Sequence, residues 1–79
     1  MNHIIDSYPA DFIPIRTWYY EYGRAVFSSE KMIYYHTKPV QRELILAGAM
    51  AKVGACVFLH KTRFWPEYQR IIAEKIDDV

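Results

Sequence analysis

Few side chains in this 79-residue sequence have the types and spacing that catalysis or metal binding requires. Cys56 and His60 are four residues apart in a strand-forming segment, which separates them by about 13 Å and prevents them from sharing one metal ion. His3 and His36 show no metal-ligand spacing. Cys56 also has no identifiable base partner that would make its thiol a nucleophile. The sequence therefore predicts no metal site and no thiol chemistry.

The carboxylates and the glycines lead to the same expectation. Glu30 and Glu43, the acidic residues in the middle of the chain, do not form a recognisable acid/base pair. The glycines are isolated from one another, so no glycine-rich loop is available to hold the phosphates of a nucleotide. We therefore expect a protein that is not an enzyme, uses no cofactor and takes no small-molecule substrate.

Positive charge is concentrated in the middle of the chain. The whole sequence has ten Lys and Arg against nine Asp and Glu, a net charge of +1. Residues 22–65, however, contain seven basic and two acidic residues, whereas residues 1–21 and residues 66–79 each carry a net charge of −2. A net charge of +5 in the middle favours contact of that part with a polyanion such as DNA.

A first helix is predicted over residues 14–22. Pro14 suits the first helical position, because the N–H that proline lacks is not needed there. Apolar residues then recur at spacings of three and four, and Gly23 is placed to end the helix in a left-handed cap. The apolar stripe consists of Ile15, Trp18, Tyr19 and Tyr22.

A second helix follows after a turn over residues 24–27. Ser28 or Ser29 is expected to cap it, and it should end near Thr37 because Pro39 disfavours helix at the preceding residue. Two short helices joined by such a turn form a candidate helix-turn-helix. The residues expected on its core side are Met32, Tyr35 and His36.

A short third helix over residues 40–46, ended by Gly48, precedes a β-hairpin. Strand-forming residues fill segments 49–53 and 56–60, which are separated by a two-residue loop beginning with Gly54. Glycine at this position is typical of a type II′ hairpin turn. The residues expected to face the core are Val57 and Leu59.

A C-terminal helix completes the chain. Pro66 must lie in its first turn, and Thr62 is a candidate cap. Its apolar stripe consists of Phe64, Tyr68, Ile71, Ile72 and Ile76. The order of elements is typical of an α+β fold, a small winged helix-turn-helix with two or three short helices, a β-hairpin wing and a C-terminal helix. We expect residues 1–11 to form an N-terminal arm and residues 12–79 to form this domain.

The order and spacing of these segments resemble the excisionase-like branch of the MerR-like winged-helix proteins, which are small proteins of phages and mobile elements. The resemblance covers about residues 12–72 and is most recognisable over residues 48–72, GAMAKVGACVFLHKTRFWPEYQRII. There Lys52 matches the basic residue of the first wing strand, Gly54 matches the turn and Phe64 matches a buried aromatic. Upstream, FIPIRTW resembles the first helix with its lead-in, and the second helix resembles the recognition helix.

This resemblance implies a protein that binds double-stranded DNA sequence-specifically and acts as an excisionase, or recombination directionality factor. Such proteins bind repeated sites cooperatively, bend DNA and favour integrase-mediated excision, so an integrase or recombinase and neighbouring copies of the chain are the implied partners. The second helix would enter the major groove, and basic residues around the hairpin would neutralise phosphates. The expected DNA-binding residues are Ser28, Ser29, Lys31, Tyr34, Lys38, Arg42, Lys52, Lys61 and Arg63.

Two other functions fit the same sequence. A transcriptional regulator with the same fold would bind at a promoter. A small phage inhibitor or adaptor would instead bind a protein through exposed tyrosines such as Tyr20 and Tyr34, since exposed tyrosine is enriched at interfaces. DNA binding should weaken steeply with salt, whereas a tyrosine-rich protein interface should not.

The remaining features favour a cytoplasmic protein that does not bind membranes. The longest apolar run, Leu44 to Ala51, has eight residues, whereas a membrane span needs roughly 20. The N-terminus contains Asp6 and Asp11 and lacks the basic start and apolar stretch of a signal peptide. The single cysteine cannot form an internal disulfide, which is typical of a reducing compartment.

Overall fold

The computed structural model describes residues 11–77 and has an α+β fold consistent with a small winged helix. The expected arm, residues 1–11, lies outside the described residues except for Asp11. The elements, labelled in chain order, are β1 (Phe12–Pro14), α1 (Ile15–Trp18), α2 (Glu30–Thr37), α3 (Gln41–Leu46), β2 (Met50–Val53), β3 (Cys56–His60) and α4 (Phe64–Asp77). A π-helical turn, Tyr19–Gly23, extends α1, and a 3-10 turn, Lys38–Val40, leads into α3.

The hairpin of β2 and β3 has the turn and the facing that the sequence predicts. Gly54 has a φ of +61°, which is the conformation that the first position of a type II′ turn needs. Val53 and Cys56 are paired across this turn. Val57 and Leu59 are buried, whereas Cys56 is exposed. Buried and more exposed side chains therefore alternate along β3, so one face of the hairpin packs on the core and the other faces away from it.

A third strand, β1, joins the sheet and was not predicted. It pairs antiparallel with β3, so the sheet order is β1-β3-β2, and Ile13 lies opposite Leu59. Pro14, which the sequence predicts at the first position of the first helix, instead ends β1 and directly precedes α1. Proline has no N–H for a ladder, and an edge strand such as β1 tolerates it.

The core lies between this sheet and the helices. Phe64, at the start of α4, is fully buried, and its ring packs edge-on against the Trp18 ring with 4.9 Å between centroids. Phe27, placed in a turn by the sequence analysis, is also buried beside Trp18. The other large residues of the core include Ile15, Ile33, Val40, Leu44, Met50, Leu59 and Ile71. Every helix therefore contributes at least one side chain to one cluster.

Gly23 does not have the left-handed conformation expected of it, because only Gly48 and Gly54 among the glycines have positive φ. Its role is to allow a close approach. A Cβ atom built on Gly23 would lie 2.6 Å from Cζ3 of Trp18 and 3.0 Å from its Cε3. The buried Trp18 ring thus packs directly on the backbone at the end of the π-helical turn.

We expect Gly23→Ala to lower the free energy of unfolding by about 1–3 kcal/mol, because the added methyl group must displace a buried tryptophan. Chemical denaturation followed by tryptophan fluorescence would measure the change. Gly54→Ala is the comparison, since a Cβ there meets nothing within 4 Å and only its positive φ costs energy, about 1 kcal/mol. A smaller loss for Gly23→Ala than for Gly54→Ala would contradict this role.

The second helix begins and ends as predicted, but a different side of it faces the core. Ser29 caps α2 by accepting a 3.3 Å hydrogen bond from the Met32 N–H. Ile33 and Thr37 are the buried residues of α2, and Tyr35, which was expected inside, is 71% exposed. Thr37 can be buried because its hydroxyl donates to the Ile33 carbonyl at 2.7 Å.

The third helix ends where the sequence predicts. Gly48 has a φ of +75°, and its N–H donates to the Ile45 carbonyl at 3.0 Å. The Ala49 N–H donates to the Leu44 carbonyl at 2.9 Å. This pair of bonds is the Schellman arrangement, in which a left-handed glycine closes the helix. It turns the chain directly into β2.

A histidine holds the turn that leads into α4. Nδ1 of His60 accepts hydrogen bonds from the N–H groups of Thr62 at 3.3 Å and Arg63 at 3.1 Å. The His60 ring also meets the Phe12 ring edge-on, with 5.2 Å between centroids. His60 therefore connects the end of β3, the edge strand β1 and the start of α4. Pro66 lies in the first turn of α4, as predicted.

Replacing His60 with alanine is expected to destabilise the domain by about 1–2 kcal/mol, because the N–H groups of Thr62 and Arg63 lose their acceptor and Phe12 loses a ring contact. Thermal unfolding followed by circular dichroism would measure this loss. Gln69→Ala is the control, since Gln69 is exposed on α4 and a surface substitution usually changes stability by less than about 0.5 kcal/mol. Equal stability of the two variants would show that the hydrogen bonds to His60 are unimportant.

Candidate nucleic-acid interface

The side of α2 opposite Ile33 and Thr37 is exposed to solvent. Lys31, Tyr34 and Lys38 lie on it because residues three, four and seven apart share one side of a helix. All three side chains are exposed, and Tyr34 keeps 44% of its surface accessible. The burial of Ile33 and Thr37 thus determines which basic and aromatic groups reach solvent.

A groove separates the C-terminal end of α2 from the hairpin. Tyr34, Lys38 and Gln41 line one side of it, and Lys52 and Gly54 line the other. Its volume is about 430 Å³. The structure therefore brings Lys52 of the wing beside Lys38 of the helix, although the two residues are far apart in sequence.

Two further grooves continue this surface along α2. One is lined by Tyr20, Ser29, Glu30, Lys31 and Tyr34, together with Tyr19. The other is lined by Lys31, Met32, Tyr34, Tyr35 and Lys38. Because the grooves share residues, they form one surface, which we call the basic-aromatic face. Its members are Tyr20, Ser29, Lys31, Tyr34, Tyr35, Lys38 and Lys52.

The other predicted DNA-binding residues lie elsewhere or beside this face. Ser28 is exposed next to the cap, and its carbonyl accepts a 2.9 Å hydrogen bond from the Tyr19 hydroxyl. Arg42 is exposed on α3. Lys61 and Arg63 follow β3 at the end of the hairpin away from its turn. Lys61 lines a separate groove with Trp18, Tyr22, Val26 and Trp65, and the Arg63 side chain lies against Gly48.

The lysines of the basic-aromatic face are free of ion pairs within the described part of the chain. No carboxylate there lies within 4.0 Å of the Nζ atoms of Lys31, Lys38 or Lys52. Glu30 also lines the groove at the start of α2 and is the nearby negative charge. Unpaired ammonium groups in water suit phosphate oxygens, since binding phosphate breaks no existing ion pair.

The basic residues of α4, in contrast, are paired with carboxylates. Arg70 contacts Glu67 at 2.8 Å and Glu74 at 2.9 Å, and Lys75 contacts Glu43 of α3 at 3.0 Å. The hydrogen bond from Lys75 lowers the pKa of Glu43, with smaller effects from the charges of Lys75 and Arg42. The Glu67 and Glu74 hydrogen bonds raise the pKa of Arg70. The charges of α4 therefore compensate one another locally.

Sequence reasoning missed part of this face. Tyr35 was assigned to the core, yet it is the most exposed of its tyrosines. Gln41 also lies on the groove wall and is not among the expected DNA-binding residues. The sequence did contain a signal for the position of Tyr35. Tyr35 lies four residues after Lys31 and three residues before Lys38, and such spacings place side chains next to one another on a helix.

No protein-family model, curated protein sequence or solved structure matches this chain. Within residues 11–77, no three His, Cys, Asp or Glu side chains are grouped in a way that could hold a metal ion. No helix in the same range combines the length and the apolar character that crossing a membrane requires.

Proposed function

We propose that the chain is a sequence-specific DNA-binding protein that acts as an excisionase in integrase-mediated recombination. The observation that carries DNA binding is the convergence of Lys38, Tyr34 and Lys52 in one groove between α2 and the wing. Lys31 extends the same positive surface along the helix. The resemblance of residues 12–72 to excisionase-like winged-helix proteins supports the more specific role.

In this proposal α2 enters the major groove with its exposed side toward the bases. The ammonium groups of Lys31 and Lys38 bind phosphates on the two sides of the groove, and the Tyr34 hydroxyl reaches a phosphate or a base edge. Lys52 binds a phosphate beside the wing. These contacts position the helix, while base-edge contacts would supply sequence preference.

The wing tip limits the affinity of one copy. Ala55 and Cys56, where many excisionase-like proteins have arginines, are exposed and uncharged. The phosphate contacts of the face therefore come mainly from its lysines. A single copy should bind modestly, and tight binding would require neighbouring copies on repeated sites or contact with the integrase, as the excisionase role implies.

Fluorescence anisotropy with duplexes from the DNA adjoining the gene would test the proposal. Because each phosphate contact contributes about −0.9 to the slope of log affinity against log salt, three lysines predict a slope of about −3. The absence of salt-dependent binding at low ionic strength would exclude the DNA-binding function.

A footprint would separate the excisionase from a transcriptional regulator of the same fold. Protection at a recombination attachment site, with stimulation of excision when integrase is added, supports the excisionase. Protection at a promoter without an effect on excision would retain DNA binding and assign the regulator instead.

A protein-binding adaptor is the second candidate, and the exposed aromatic rings favour it. Tyr20 and Tyr35 keep 54% and 71% of their surfaces accessible, and such residues are enriched in protein interfaces. Binding to a host protein or integrase that persists at high salt, without DNA binding at low salt, would favour this function.

A further inference from the structure

The basic-aromatic face has three exposed tyrosine rings that phosphate binding does not require. Tyr20, Tyr34 and Tyr35 are 54%, 44% and 71% exposed. Phosphates are bound by cations and N–H groups, and base edges are read by side chains that hydrogen-bond in the plane of the base. The faces of these rings therefore have no DNA partner in a standard duplex complex, although Arg24 already covers one face of the Tyr20 ring.

The rings are interspersed with cations along the face. The Arg24 guanidinium lies over the Tyr20 ring, 5.8 Å from its centroid. Lys31 lies between Tyr20 and Tyr34, since it lines grooves with both. Lys38 then shares a groove with Tyr34 and Tyr35. Tyrosine rings and positive charges are thus interspersed from the turn after α1 to the end of α2.

Interspersed rings and cations are the arrangement that binds nucleic acid with exposed bases. Aromatic side chains stack on the faces of successive bases, while Lys and Arg bind the backbone between them. In an intact duplex the neighbouring base pairs cover these faces, so a protein ring stacks most easily on bases that are already unpaired. The face has Tyr34 at the junction of its three grooves, where a displaced base would meet it.

We propose that Tyr20, Tyr34 and Tyr35 stack on unpaired DNA bases, so that the basic-aromatic face binds locally opened DNA more tightly than the intact duplex. This inference rests on the proposed DNA-binding function and adds the preferred form of DNA. Opened or bulged DNA is also more easily bent than an intact duplex, which suits a protein that bends its site.

The test compares an intact duplex with the same duplex carrying a two-nucleotide bulge, by fluorescence anisotropy at one salt concentration. We expect the bulged duplex to bind about tenfold more tightly, which corresponds to one stacked base. Equal affinity of the wild-type protein for the two duplexes would overturn the stacking proposal. Absence of binding to both would overturn the proposed DNA-binding function as well.

Tyrosine variants show whether the rings cause the preference. The double variant Tyr34→Leu with Tyr35→Leu should lose the preference for the bulge, measured as the ratio of its affinities for the two duplexes, and keep its salt slope, because the lysines remain. Its affinity for the intact duplex should fall no further than that of Tyr34→Phe, which lacks only the hydroxyl. Tyr22→Leu is the matched control, since Tyr22 is 48% exposed but lies in the groove of Trp18 and Lys61. Retention of the preference in the double variant, with circular dichroism showing a folded protein, would overturn the proposal.

Discussion

The variant Phe64→Ala is expected to lose about 3–5 kcal/mol of stability, the largest loss from any single substitution considered for this chain. Phe64 has no exposed surface. Its ring packs edge-on against Trp18 and stacks on Tyr68 at 5.7 Å between centroids. Removing it leaves a cavity at the point where the first and last helices meet, and a thin core cannot close around such a cavity.

The domain is so small that this loss is a large part of its total stability. A chain of 79 residues has a total stability of roughly 4–12 kcal/mol, so the variant should be partly unfolded at 37 °C. Urea denaturation followed by circular dichroism would measure the change. Leu46→Ala is the control, since Leu46 is 79% exposed and should change stability by less than about 0.5 kcal/mol. A loss below about 1 kcal/mol for Phe64→Ala would contradict its central place in the core.

The second large effect concerns DNA affinity. The double variant Lys38→Ala with Lys52→Ala should bind duplex DNA about 60-fold more weakly at 0.1 M salt, because each lost phosphate contact costs about eightfold at that concentration. The slope of log affinity against log salt should become about 1.8 less steep. Both side chains are exposed, so the fold should remain intact. Anisotropy titrations at several salt concentrations would measure both quantities.

A control with the same loss of charge separates local contacts from net charge. Arg70→Ala with Lys75→Ala removes two positive charges from α4, where both residues are about half exposed and paired with carboxylates. We expect this control to change DNA affinity by less than about threefold, since distant exposed charges are screened by salt. An equal loss of affinity in the two double variants would contradict a specific interface at the groove.

Local signals in the sequence were sufficient for the hairpin, for both ends of α2, for the end of α3 and for the start of α4. Gly54 and Gly48 have the positive φ values that their turns need, and few other residues adopt such values. Pro39 predicted the end of α2, and Pro66 predicted the start of α4, because proline is tolerated only near a helix start. Each of these predictions depends on the backbone of one or two residues.

Features that depend on distant parts of the chain were not predictable in this way. The strand β1 has only three residues, too few for a periodic pattern, and it forms because β3 offers a free edge. The segment EKMIYYHT of α2 has apolar residues on several sides, so its facing is decided by packing, which buries Ile33. The turn before α4 is held by hydrogen bonds to His60, whose ring lies there because of the position of β3.

The candidate site shows the same division. The exposure of Lys31, Tyr34 and Lys38 follows from helical spacing, and the sequence predicted it. The meeting of Lys38 with Lys52 depends on how the hairpin packs beside α2, which no local pattern specifies. Lys61 and Arg63 belong to the same basic segment of the sequence, yet the fold places them away from this groove.

The most direct test of DNA binding by the basic-aromatic face is a heteronuclear NMR titration of the labelled protein with a duplex containing its footprint. We predict that the amide signals of residues 29–38 and 52–56 shift on DNA addition, while those of residues 67–75 in α4 remain unchanged. Shifts confined to α4, or to the groove around Trp18 and Trp65, would contradict the assignment of the DNA interface to α2 and the wing.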